Sequence, residues 1–184
     1  MRGLSPAAKP GILIASPQLR DPNFAGTVVL IWHHDSEGAM GAIVNRPTRV
    51  DLSSVTEQLA MPAPVEPTPV LFGGPVQQDN GYLVYGGPVD ERMGWNPGPG
   101  VSITASQELL EKVLGQGEPF LLCLGYSGWG PGQLEEEIQG GSWLYAEIDP
   151  ALLFEVPLKE RYEYALGLLG LSKNQVWMMG PISE

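Results

Sequence analysis

An α+β fold built on a mixed β-sheet is what this sequence predicts, and three observations predict it. Short apolar runs rich in Ile, Val and Leu recur along the chain, the pattern of strands buried on both faces. Glycine and proline number 24 and 18 of 184 residues, well above their usual combined share of about 12%. They fall between the apolar runs, as short elements joined by tight turns require. The order of elements, finally, is neither a series of βαβ units nor an all-β succession. A chain of 184 residues is long enough for one well-buried core and short for two, so residues 1–184 are expected to form a single domain.

The elements follow in order. Gly11 to Ser16, Thr27 to Trp32 and Ala39 to Val44 are apolar runs that read as strands, and the polar stretch from His33 to Gly38 makes the last two a hairpin. Asp51 precedes Leu52, Val55 and Leu59 at helical spacing, with Ser54 and Glu57 spaced as a capping box. Pro62, Pro64, Pro67 and Pro69 forbid a helix and predict an extended connector. Val70 to Phe72 and Gly81 to Tyr85 read as strands around the turn signal Asp79-Asn80-Gly81, and the repeated Gly-Gly-Pro-Val at 73–76 and 86–89 reads as two stereotyped turns. Val101 to Thr104 is a strand. Thr104 and Gln107 suggest a capping box for a helix bearing Leu109, Leu110, Val113 and Leu114, ended by Gly115. Phe120 to Leu124 is the next strand; a glycine-rich loop carries it to a helix beginning near Pro131 and stopping at Gly140-Gly141. Trp143 to Ile148 is a strand, Asp149-Pro150 caps a turn, and Leu158 to Leu169 is a helix closed by Gly170. The tail from Leu171 carries no clear signal.

Charge and cysteine use exclude several function classes. The formal net charge is -11, yet residues 1–50 balance at +2, so the chain from Asp51 onward carries -13. Counterion release on DNA and attraction to anionic lipid both need a basic surface, so neither direct nucleic-acid contact nor membrane binding is expected. The lone Cys123 lies in an apolar run, which rules out an intrachain disulfide and fits a buried small hydrophobe in a reducing cytoplasm. No apolar run approaches the ~18 residues of a membrane span.

The stretch Leu124 to Ile138 holds most of the chemistry-bearing residues. Glycines between a strand and a helix can aim amides at a phosphate, but the Walker code needs a lysine and none lies between Lys112 and Lys159. Gly125-Tyr126-Ser127-Gly128-Trp129 approaches the nucleophile elbow, with Trp129 where glycine is required and both histidines, His33 and His34, ahead of the serine. Adjacent histidines in an extended chain point to opposite faces, so no metal site is expected, nor any cofactor. Gln133 and Glu137 are four apart and share a helix face, and Glu135 and Glu137 are the candidate carboxylates for acid–base work. Asn45-Arg46-Pro47 has two readings: a strand-ending turn, or a guanidinium that grips a carboxylate of a ligand or of Glu135.

Taken together, Ala15-Ser16-Pro17-Gln18-Leu19, Asp21-Pro22-Asn23-Phe24, His34 to Gly41, Asn45-Arg46-Pro47, Gly73-Gly74-Pro75-Val76 and Leu124 to Ile138 make a chain that resembles the AlgH/YqgE family of bacterial proteins over roughly residues 10 to 170. The resemblance implies a bifurcated mixed sheet that includes a small closed barrel surrounded by helices. It implies a protein described as uncharacterised or as a transcriptional regulator, and it carries no catalytic residue across. Ser127 stands where the family usually has alanine, and Tyr85-Gly86-Gly87 where it commonly has a histidine. The expectation is therefore a cytoplasmic, non-catalytic binding or regulatory module for an unknown protein or small molecule. Its candidate site comprises His34, Asn45, Arg46, Tyr126, Trp129, Gln133, Glu135 and Glu137. The alternative is an enzyme on a small polar substrate, with Glu135 or Glu137 as general base. The sequence does not fix the oligomeric state.

Overall fold

The computed structural model describes residues 9–172; the unassigned tail lies outside it from position 173. The fold is α+β. Strands β1 (Gly11–Ala15), β2 (Val28–Asp35) and β3 (Gly38–Ile43) lead into β4 (Pro47–Asp51) and helix α1 (Leu52–Gln58). Then come β5 (Pro69–Phe72), β6 (Val76–Tyr85), β7 (Gly94–Gly98), β8 (Val101–Thr104) and α2 (Gln107–Gln116). The chain continues through β9 (Phe120–Trp129), α3 (Gln133–Gln139), β10 (Trp143–Ala146) and α4 (Pro150–Phe154) to α5 (Arg161–Leu168), which a 3-10 turn precedes.

The strand order is β10-β1-β2-β3-β9-β6-β8-β7, with β5 joining β4 to β9. Every pairing is antiparallel except β5 with β9, where Leu71 and Phe72 lie beside Cys123 and Leu124. The sheet is thus mixed, and it forks at β9. Residues Phe120 to Leu124 pair with β6, and Ser127 to Trp129 pair with β3. Gly125 stands at the fork with φ +76°, a left-handed conformation open to glycine at little cost. The sheet curls into a half-barrel whose β7 edge returns to β2 through side chains: Trp95 packs on Trp32 with ring centroids 5.6 Å apart.

Strand β1 shows why the runs are apolar throughout. Ile12 and Ile14 enter one buried cluster with Leu30, Val44, Leu152 and Leu166, while Leu13 and Ala15 enter another with Ile31, Trp129, Leu134 and Trp143. Alternate side chains face alternate sides, and helices cover both. A fully buried Leu or Ile contributes roughly 1.5–3 kcal/mol, so two covered faces leave little room for polar residues in the strand.

Several expectations need correction. His33 and His34 belong to β2, which a bulge at Trp32 carries on to Asp35, leaving Ser36 and Glu37 as the turn. Asp79-Asn80-Gly81 is no hairpin turn: it lies inside β6, at an irregularity between Val76 and Gly81. The reason is that β9 runs between β5 and β6, so these neighbours in sequence never pair. The glycine-rich "loop" after Leu124 is the second half of β9, because β3 offers it a ladder. The first Gly-Gly-Pro-Val is a close crossing: a Cβ on Gly73 or Gly74 would strike the backbone of Gly125 or Tyr126. Caps differ as well. Asp51 caps α1 through Ser53 N–H, Ser106 caps α2 through Leu109 N–H, and Gly117, φ +72°, ends α2 two residues beyond Gly115. Trp143 to Ile148 shortens to β10, and the expected Leu158 to Leu169 helix divides into the 3-10 turn and α5. Strands β4 and β7 had no counterpart in the sequence reading.

Candidate functional site

The end of β9 delivers Trp129 onto the face covered by α3, where the indole is 6% exposed. The indole N–H groups of Trp129 and Trp143 both donate to Glu137 Oε1 at 2.9 Å. Gln133 Nε2 donates to Oε2 of the same carboxylate at 3.0 Å, and Gln133 Oε1 accepts from Gly130 N–H at 2.9 Å. One carboxylate thus receives three donors and fixes the strand, the turn, the helix and β10 against each other. Phe24 lies against both indoles, with centroid separations of 5.9 Å to Trp129 and 5.6 Å to Trp143.

Asn45 and Arg46 hold the loop that carries Phe24. Asn45 Oδ1 accepts from Val28 N–H and its Nδ2 donates to Gly26 O. The Arg46 guanidinium donates to the carbonyl oxygens of Pro22, Asn23 and Ala25 at 3.2, 2.7 and 3.0 Å. It therefore grips backbone and forms no ion pair with Glu135. That carboxylate faces His34 instead, with Oε2 3.3 Å from Nε2. The His34 side chain is 1% exposed, and the contact lacks hydrogen-bond geometry: neither ring nitrogen, nor Glu135 Oε1, has a hydrogen-bond partner.

The two histidines point to opposite faces. His33 is exposed and its Nε2 lies 2.9 Å from Asp35 Oδ2. The Asp35 carboxyl is held below its usual range, first by the Glu37 backbone N–H and then by His33. Tyr126 shares the His33 side of the fold, edge-on to Tyr82 at 5.7 Å. There an open depression of about 410 Å³ is lined by His33, Asp35, Glu37, Met40, Tyr126 and Trp129 among others. The candidate residues thus divide. His34 and Glu135 meet, Trp129, Gln133 and Glu137 form one network, Asn45 and Arg46 brace the neighbouring loop, and Tyr126 belongs to the depression.

Other reactive groups are held inside. Ser127 is fully buried and donates to Gly73 O at 3.0 Å. Burial pushes the Cys123 thiol up to about 12, a nearby Arg161 opposing in part. Among the described residues no group of three His, Cys, Asp or Glu side chains is placed to hold a metal ion, and no helix is long and apolar enough to cross a membrane. Phe24 and Trp143 were not among the expected site residues, and His33 was weighed only as a base or metal ligand. The aromatic contacts of Phe24 come from residues more than a hundred positions away, and only the Asp-Pro-Asn-Phe motif hinted at it, whereas His33 meets Asp35 within its own strand.

Comparison with known proteins agrees with this architecture. A family model described as DUF179, AlgH-like, matches residues 12–174. A UPF0301 protein of Paraburkholderia phymatum is 42% identical over 170 residues, 89% of each chain, and one of Burkholderia mallei is 43% identical over 173 residues, again 89% of each. The solution structure of AlgH from Pseudomonas aeruginosa superposes with a TM-score of 0.75 at 35% identity, over 100% of both chains. A crystal structure from Corynebacterium diphtheriae shares the fold, with a TM-score of 0.69 at 24% identity over 90% of this chain and 88% of that one. The forked, curled sheet and these matches make the chain a member of the AlgH-like family, whose molecular function is unknown.

Proposed function

We propose that this protein is a non-catalytic binding module with a regulatory role in the bacterial cytoplasm, and that its partner presents positive charge. The observation that carries the reading is that Glu137 and Arg46 are occupied by the fold itself, Glu137 by two indoles and Gln133, Arg46 by three carbonyls. The depression at the β2–β3 hairpin, by contrast, keeps the Glu37 carboxylate beside Met40 and Tyr126, next to an Asp35 that His33 and the Glu37 N–H engage. An ammonium or guanidinium over an aromatic ring gains ~0.5–2 kcal/mol, and a net charge of -11 steers basic partners while opposing DNA. Regulation would then run through a protein or small-molecule contact.

Amide and side-chain NMR during titration with an arginine-rich peptide tests this. Salt-sensitive shifts at His33, Met40 and Tyr126 are expected, with none from an acidic peptide or duplex DNA; shifts confined to other surfaces would refute the placement. A second reading, catalysis on a small polar substrate, draws support from the unpartnered buried His34 beside Glu135. It requires a metabolite that the protein consumes and Glu135→Gln does not.

A further inference from the structure

The arginine at the start of α5 is a buried cation without a buried anion. Arg161 is 7% exposed. Its Nη1 donates to Val44 O at 2.6 Å and its Nε to Val156 O at 3.1 Å. A guanidinium has five N–H donors, so three remain, and no Asp or Glu forms an ion pair with it among the described residues. The nearby Cys123 supplies no counter-charge, since burial keeps its thiol protonated up to about 12. No Arg161 nitrogen is among the sealed atoms without a hydrogen-bond partner, so its remaining N–H groups stay accessible, and the same residue lines a cleft of about 210 Å³ whose other walls include Leu52, Leu71, Leu121, Leu122 and Leu158. No Asp or Glu is in that lining.

We propose that this cleft binds a short apolar monocarboxylate, its hydrocarbon against the leucines and its carboxylate on the free N–H groups of Arg161. The two parts of the ligand answer the two parts of the site. Leucines repel a hydrated ion but accept a chain, and a guanidinium rewards a carboxylate with charge-assisted, often paired hydrogen bonds. Size restricts the chain: at ~30 Å³ per water-sized atom the cleft holds about seven non-hydrogen atoms, near the size of hexanoate. The site is separate from the depression at the β2–β3 hairpin, so either can fail alone.

The full chain is titrated with hexanoate, 1-hexanol and hexylamine, following the Arg161 Nε–H resonance and the melting temperature. Hexanoate is expected to move that resonance saturably and to raise Tm, 1-hexanol to bind at least tenfold more weakly, and hexylamine to leave both unchanged. Arg161→Gln should weaken hexanoate at least tenfold. Because that change also removes bonds to Val44 and Val156, Leu121→Trp provides a variant that fills the cleft and leaves those bonds in place; it too should abolish binding. Equal affinity for the alcohol, saturable binding that survives Leu121→Trp, or no effect of hexanoate on the native chain would each overturn the proposal.

Discussion

Replacing Glu137 with alanine tests whether the junction of β9 and α3 is a structural knot. The carboxylate accepts from Trp129 and Trp143 at 2.9 Å and from Gln133 at 3.0 Å. A hydrogen bond to a charged group contributes ~1.5–3 kcal/mol net, and an orphaned buried donor costs ~1–3. Gln133 is exposed, so water replaces its bond, whereas both indoles belong to largely buried rings. The two indole bonds then dominate, and Glu137→Ala should cost about 3 kcal/mol, lowering Tm by ~6–12 °C for a chain of this size. Glu137→Gln should cost about half as much, since its carbonyl oxygen can still accept from both indoles while its amide meets the Gln133 amide. Urea denaturation gives the free energies, and the two indole N–H resonances report the local effect. A loss under ~0.5 kcal/mol for Glu137→Ala, or unmoved Trp129 and Trp143 signals, would refute the reasoning.

Three further outcomes follow from the geometry. Gly74→Ala should destabilise by more than ~3 kcal/mol in chemical denaturation, because its Cβ would strike the Tyr126 carbonyl, whereas Gly117→Ala, with open space around it, should cost only about 1 for its positive φ. Cys123 should resist a thiol reagent at pH 8 until the protein unfolds, since its thiol is fully buried and pushed up to about 12; rapid labelling of the native chain would contradict this. Asp51 is held below its ordinary range, mainly by the Ser53 backbone N–H. A depressed carboxyl adds stability that is present above the unfolded value of ~3.9 and lost as pH falls through the lower folded one. Asp51→Asn, which still caps, should therefore flatten the acid limb of stability below about pH 4, as followed by circular dichroism.

How much of this was legible in the sequence depended on which partner each segment needed. Strands β1, β2 and β3 were readable because burial on both faces leaves an apolar run whatever lies opposite. The second half of β9 was not, since Gly125 and Gly128 are residues of a loop unless β3 supplies a ladder, and β3 lies more than eighty positions earlier. β7 escaped for a related reason. Gly-Trp-Asn-Pro-Gly reads as a turn, and only β8 on one side and the Trp95–Trp32 contact on the other make it a strand. Asp79-Asn80-Gly81 misled in the other direction: its local chemistry demands a hairpin, and β9, inserted between β5 and β6, overrules it.

The same logic separates the residues that look functional from those with capacity left over. Asn45 and Arg46 stood out in the sequence at a strand end and Gln133 and Glu137 on one helix face, and in the fold their hydrogen bonds run to backbone carbonyls, amides and indoles of the protein itself. Arg161 did not stand out, because one arginine among Lys159, Glu160 and Glu163 reads as the solvated face of a helix. Burial reverses that ranking. A polar side chain whose donors are all matched stabilises the fold and offers nothing to a ligand, whereas one enclosed with donors unmatched carries a cost that an incoming acceptor relieves. His34, with both ring nitrogens unpartnered, meets that criterion, and the carboxylate site proposed above rests on the three N–H groups that Arg161 has beyond its two carbonyl contacts. Arg161 also lines a cleft with an apolar wall.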